Sequence, residues 1–156
     1  TLSSSNRVKT RYDFRPQFTY RLNNRITINQ AYGLAIEFVD HSFEQLAEDN
    51  FLDRNITFSN RVDAVLTDRL NGSFDYAYHF HDRGSYLSSD GSNERFLNIE
   101  REDRRDRIKT TFTYRMTGNV SILGRQDYSR REDRRPGTPG ARVSEEGGIA
   151  IGMRGN

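Results

Sequence analysis

From Arg7 to Arg21 alternate positions fall into two sets. Tyr12, Phe14, Phe18 and Tyr20 lie on one side, and Arg11, Asp13, Arg15, Gln17 and Thr19 on the other. A period of two is the mark of a β-strand with one apolar face. Pro16 has no N–H to give to a ladder, which predicts an edge position or a bulge. After a tight turn at Asn23-Asn24, a pair tolerant of positive φ, the pattern resumes from about Arg25 to Val39. There Ile26, Ile28, Tyr32, Leu34, Ile36 and Phe38 share a face.

The segment Asp40 to Asp53 breaks the alternation and is expected to be a loop. Strand three is expected over about Asn55 to Thr67, and strand four after an Asn71-Gly72 turn, with Phe74, Tyr76, Tyr78 and Phe80 on its apolar side. Asp90-Gly91 signals another turn. The charge-dense run Arg95 to Arg107 reads as a strand extension standing in water, leading into strand five, Ile108 to Arg115. Strand six is expected over Asn119 to about Arg130, a loop over Arg131 to Ala141, and a seventh strand over about Val143 to Arg154.

The hairpins repeat. Phe18-Thr19-Tyr20-Arg21-Leu22 returns as Phe112-Thr113-Tyr114-Arg115-Met116, and Ala64 to Gly72 is a looser copy halfway between, a period of about 47 residues. The expected fold is therefore all-β, an antiparallel up-and-down meander of about seven long strands. Residues 1–156 form a single hairpin-repeat domain, either whole or a fragment of a larger barrel.

Composition narrows what such a sheet can be. Only 33% of residues are hydrophobic and the mean hydropathy is -0.89, thin for a conventional core. The 8 Tyr and 10 Phe nevertheless set the chain apart from disordered sequences. Lys and Arg number 24 against 22 Asp and Glu, and the basic runs carry their own acids, so no nucleic-acid partner is expected. Cysteine is absent, which excludes disulfides and thiolate metal sites. No apolar run reaches the roughly 18 residues of a spanning helix. Thr1 to Ser5 shows no charged-then-apolar leader, so a mature chain or a fragment is expected.

Candidate chemistry is sparse. His79 and His81 point the same way in strand four, near Asp75 and Asp82, the spacing a strand-borne metal pair needs. A merely solvated polar face explains them more simply, and no metal or cofactor is expected. There is no phosphate loop, nucleophile elbow or legible triad, so the chain is not expected to be an enzyme.

Long alternating strands joined by connections that are alternately short and long resemble the outer-membrane β-barrel class. Phe18-Thr19-Tyr20-Arg21-Leu22, Phe74-Asp75-Tyr76-Ala77-Tyr78 and the terminal Ile149-Ala150-Ile151-Gly152-Met153-Arg154 carry the likeness. It implies a transmembrane β-barrel in a bacterial outer membrane, acting as a porin-like pore, transporter shell or scaffold. It also implies aromatic girdles and a polar lumen. The lipid-facing candidates are Ile26, Ile28, Leu34, Ile36, Phe38, Phe74, Tyr76 and Tyr78. The lumen-lining candidates are Arg11, Arg15, Arg61, Asp63, Lys109 and Arg125. The implied partners are the lipid bilayer, lipopolysaccharide phosphates, and the strands or chains needed to complete the sheet, because seven is an odd count. Three other readings stay open: a structural subunit forming sheets or fibres with other chains, a soluble β-barrel binding an apolar ligand, and a surface adhesin; an extracellular location is the alternative to the outer membrane.

Overall fold

The computed structural model describes residues 7–41, 50–88, 95–135 and 137–155. All of its regular structure is one antiparallel sheet. The strands are β1 (Arg7–Phe14), β2 (Gln17–Asn23), β3 (Ile26–His41), β4 (Phe51–Val65), β5 (Leu70–Ser88), β6 (Arg95–Arg115), β7 (Val120–Arg134) and β8 (Arg142–Gly155). Each pairs with its sequence neighbour except that β1 and β2 both pair with β3, end to end. Among the described residues eight strands therefore occupy seven positions, and the sheet is open, with β1/β2 at one edge and β8 at the other.

Pro16 divides the strand expected over Arg7 to Arg21. Its carbonyl still accepts a hydrogen bond from the Tyr32 N–H at 3.0 Å, but without an N–H of its own it cannot return one. The other strands mostly run beyond their expected limits. β4 begins at Phe51, inside the expected loop, and β7 continues through Arg134, where ion pairs on both faces, among them Arg131–Asp103 and Arg134–Glu132, hold the charged side chains in place of apolar contacts. The remainder of the expected loop, 42–49, and the expected Asp90-Gly91 turn lie outside the described residues.

Two of the short turns differ from expectation in their detail. Asn71 and Gly72 are strand residues opposite Val65 and Ala64. The turn lies at 66–69, where the N–H groups of Leu66 and Thr67 both donate to the Leu70 carbonyl. Thr67 Oγ1 accepts from the N–H of Arg69 and of Leu70, a local bond that competes with the ladder and ends it. In the first hairpin the turn residues are Asn24 and Arg25, and Asn23 Oδ1 accepts from the Arg25 and Ile26 N–H groups at 2.8 and 2.9 Å. No non-glycine residue among those described has positive φ, so the side-chain cap closes this turn without a left-handed residue.

The sheet has one layer. Val39 and Tyr86 are the buried hydrophobic residues among those described, while large apolar side chains from Tyr12 to Met153 remain exposed along one face. A domain in water covers such a face with a second layer; here the described chain supplies none.

Candidate functional site

Alternation gives the sheet two chemically distinct faces. Ile26, Ile28, Leu34, Ile36 and Phe38 share one face with Phe74, Tyr76 and Tyr78, since their registers place them on the same side of the ladder. Aromatic rings link the strands there. Phe18 lies 6.3 Å from Tyr32, Tyr32 lies 5.0 Å from Phe58, and Phe58 lies 6.0 Å from Tyr76, measured between ring centroids. Gln30, Asn60 and Gln126 interrupt the apolar face. The aromatics cross its middle and do not gather into two girdles, the distribution the barrel likeness implies.

This apolar face ends at a slanted charged boundary. Ile26, Ala64, Gly72, Phe112, Gly124 and Ile151 form one row across β3 to β8. Counted from that row towards the long links, the first charged outward residue is Asp40 on β3, fourteen residues on. On β4 and β5 it is Arg54 and Asp82, ten residues on. On β6, β7 and β8 it is Asp106, Arg130 and Glu145, six residues on. Two residues below it stand Phe38, Ile56, Phe80, Ile108 and Tyr128. Leu52, Tyr86, Ile99 and Val143 are the apolar exceptions above it among residues whose side chains are described.

The eight-residue drop over five strand spacings corresponds to about 27 Å along the strands against about 24 Å across them. The boundary falls in two steps and is level from β6 to β8; averaged from β3 to β8 it lies at about 45–50° from the perpendicular to the strands. Apolar stretches beneath it run from Ile26 to Phe38 on β3, Leu70 to Phe80 on β5 and Val120 to Tyr128 on β7.

The opposite face is a field of ion pairs. Arg11, Arg15, Arg61, Asp63, Lys109 and Arg125, the predicted lumen set, all lie on it, but the pairs form mainly within single strands. Asp13 is gripped by Arg15 at 2.7 Å and touched by Arg11 at 3.5 Å. Arg61 pairs with Asp63 at 3.0 Å and reaches Asp75 across the ladder at 3.8 Å. Arg125 pairs with Asp127. Except for Arg61 and Asp75, the partners are two residues apart, where a strand points both to one side. The sequence signal is Arg-x-Asp, written as Arg-x-Asp-x-Arg at Arg11–Arg15, Arg101–Arg105 and Arg131–Arg135. Reading the charged runs only for net charge passes over it.

The last two copies are the same pentapeptide, Arg-Glu-Asp-Arg-Arg, and they lie against each other. The β6–β7 register sets Asp103 opposite Asp133, with Glu102 opposite Arg134 and Arg104 opposite Glu132 on the other face. Asp103 is only 2% exposed. It accepts from Arg105 Nε at 2.9 Å and from Arg131 Nη2 at 2.5 Å. The Arg105 guanidinium, with Arg131 behind it, holds its carboxyl below the usual carboxylate range against the opposing effect of burial. Asp133 is met by Arg101 at 3.6 Å and Arg135 at 3.8 Å.

His79 and His81 are neighbours on this face, their rings 6.5 Å apart. His81 Nε2 lies 3.1 Å from Asp53 Oδ2. Asp82, considered with them from sequence, points to the other face, where Arg54 holds it at 2.5 Å. Among the described residues no group of three His, Cys, Asp or Glu side chains is placed to hold a metal. The polar face also carries an open groove of about 510 Å³ between Arg11, Arg15, Gly33, Thr57 and His79. Compared with protein family models, curated proteins and solved structures, the chain matches none of them.

Proposed function

We propose that this chain is a membrane-spanning segment of an outer-membrane β-barrel, its apolar face towards lipid and its ion-pair face lining a polar lumen. The slanted boundary carries this reading. A planar membrane surface cut by strands tilted about 45° leaves charged residues starting lower across the sheet, with the average slope found between β3 and β8. The apolar stretches beneath it are nine to thirteen residues long, matching or slightly exceeding the roughly 9–11 that cross the hydrocarbon. A single-layer sheet with an uncovered apolar face also fits lipid as the cover. Above the boundary Arg54, Arg104, Arg130 and Arg134 stand where phosphates of an outer leaflet would meet them. In this reading the segment is the wall of a pore, transporter or scaffold in a bacterial outer membrane. Its paired lumen charges tune which ions pass.

A second reading is a structural subunit whose apolar face is covered by other chains, favoured by the two open edges. Substitution on neighbouring positions of β3 separates the two. In unfolding titrations from lipid vesicles, Leu34→Arg is expected to cost roughly 2–4 kcal/mol near the midplane, and Ala35→Arg, on the other face, clearly less. Equal penalties, or a chain that stays monodisperse in buffer and ignores vesicles, would remove the membrane reading.

A further inference from the structure

The two open edges run the same way. β1/β2 descend from the long-link end to the short-turn end. Six antiparallel steps later β8 does so too, because the sheet has seven positions. Joining β8 directly to β1/β2 would therefore set two parallel strands side by side in an otherwise antiparallel ladder. A second copy fares no better. Packed side by side in a ring it gives the same parallel seam. Packed β8 against β8 it is antiparallel only through a two-fold axis normal to the sheet. That inverts the copy, swinging its Arg130 and Glu145 to the end where Met116, Ile122 and Met153 of the first copy lie.

We propose that both edges take the same kind of partner: a strand of different sequence running from the short-turn end to the long-link end. Its outward side is apolar, to continue the row of Ile149, Ile151 and Met153, which are 78%, 79% and 73% exposed. Its inward side carries larger polar residues along this row, because between Glu146 and Arg154 β8 offers only Gly148, Ala150 and Gly152 there, and a Cβ at either glycine meets nothing within 4 Å. One such strand presents a correctly directed edge to β8 and to β1/β2 at once, so the sheet is completed by an odd number of added strands that alternate in direction and begin and end with this one, and the smallest closed form has eight positions. Exclusion of the inverted copy rests on the membrane reading; the direction of the edges does not.

The chain has no cysteine, so single labels are clean. The probe is a synthetic peptide of about ten residues alternating Val and Thr, matched to a spanning strand, with a donor fluorophore at its N-terminus. It is added to Gly152→Cys or Ser144→Cys protein carrying an acceptor, in phosphatidylcholine vesicles and in buffer. The expected result is slowed amide exchange along β8 and energy transfer several-fold stronger to position 152, at the short-turn end, than to position 144. Stronger or equal transfer to position 144, or no binding, overturns the proposal. So does a monomeric Thr19→Cys/Ala150→Cys variant that crosslinks internally, which would mean direct closure, or an Ile151→Cys variant that forms a disulfide dimer. If transfer favours position 152 but the protein never enters vesicles, the strand direction stands and the membrane reading falls.

Discussion

Asp103 and Asp133 face each other across the β6–β7 ladder, like charges held together by Arg101, Arg105, Arg131 and Arg135 around them. Like charges directly opposite destabilise a strand pair, so the arginines are what make this register tolerable. Asp103→Asn is expected to lower stability by about 1–2 kcal/mol, a value kept small because its arginine partners are half exposed. The pH dependence has a definite sign. With its carboxyl held below the ordinary value near 3.8, Asp103 contributes stability that is present above that value and is lost as pH falls through the folded one. Wild-type protein should weaken more steeply than Asp103→Asn below about pH 4 in acid-unfolding titrations. Parallel curves would contradict the assignment.

Labelling tests the sidedness. Cysteines placed singly at Asp68, Gly118 and Thr138 sit in two short turns and one long link. In intact cells an impermeant maleimide should react at position 138 alone, and reaction at 68 would reverse or refute the topology.

Gly33 stands opposite Thr57 on the polar face, and a Cβ there would lie 2.3 Å from Thr57 Oγ1. Gly33→Ala should cost about 1 kcal/mol of overpacking, and the penalty should disappear in a Thr57→Ala background. A penalty that survives in that background would point to backbone strain.

The second short turn gives a contrast between two neighbouring signals. Thr67→Ala removes the oxygen that caps the Arg69 and Leu70 N–H groups and should cost about 1 kcal/mol. Asn71→Val should be neutral or stabilising, because position 71 lies in a strand. Chemical denaturation of the two variants measures both, and the opposite ranking would put the turn at Asn71-Gly72.

The period-two alternation makes the sheet, its order and both faces legible in the sequence, because each strand is amphipathic over most of its length. What was less legible has physical causes. Asn71-Gly72 is a strong turn dipeptide, yet the hairpin closes at Thr67, whose hydroxyl caps local N–H groups that would otherwise need the ladder. The ends of the strands are illegible where apolar residues give way to charged ones, because Arg131 to Arg134 are charged at every position and only their ion pairs keep them in the ladder. The Arg-x-Asp pairs vanish in a net charge, because their signs cancel along the chain and emerge only when the residues are sorted by face. The slanted boundary needs the registers of all the strands from β3 to β8, which no single segment encodes.

The repeated pentapeptide also proofreads the frame in which β6 and β7 meet. A slide of two residues leaves every apolar side chain on its proper face, so hydrophobicity alone cannot detect the error. One slide brings Asp103 to Arg131 but sets Glu102 against Glu132 and Arg104 against Arg130. The opposite slide sets Arg104 against Arg134. Only the observed frame crosses Glu102 with Arg134 and Arg104 with Glu132. Each wrong frame sets like charges together on the outward face, whereas the observed frame keeps its like pairs, Asp103–Asp133 and Arg105–Arg131, on the inner face, where the diagonal bonds Arg131–Asp103 and Arg101–Asp133 relieve them.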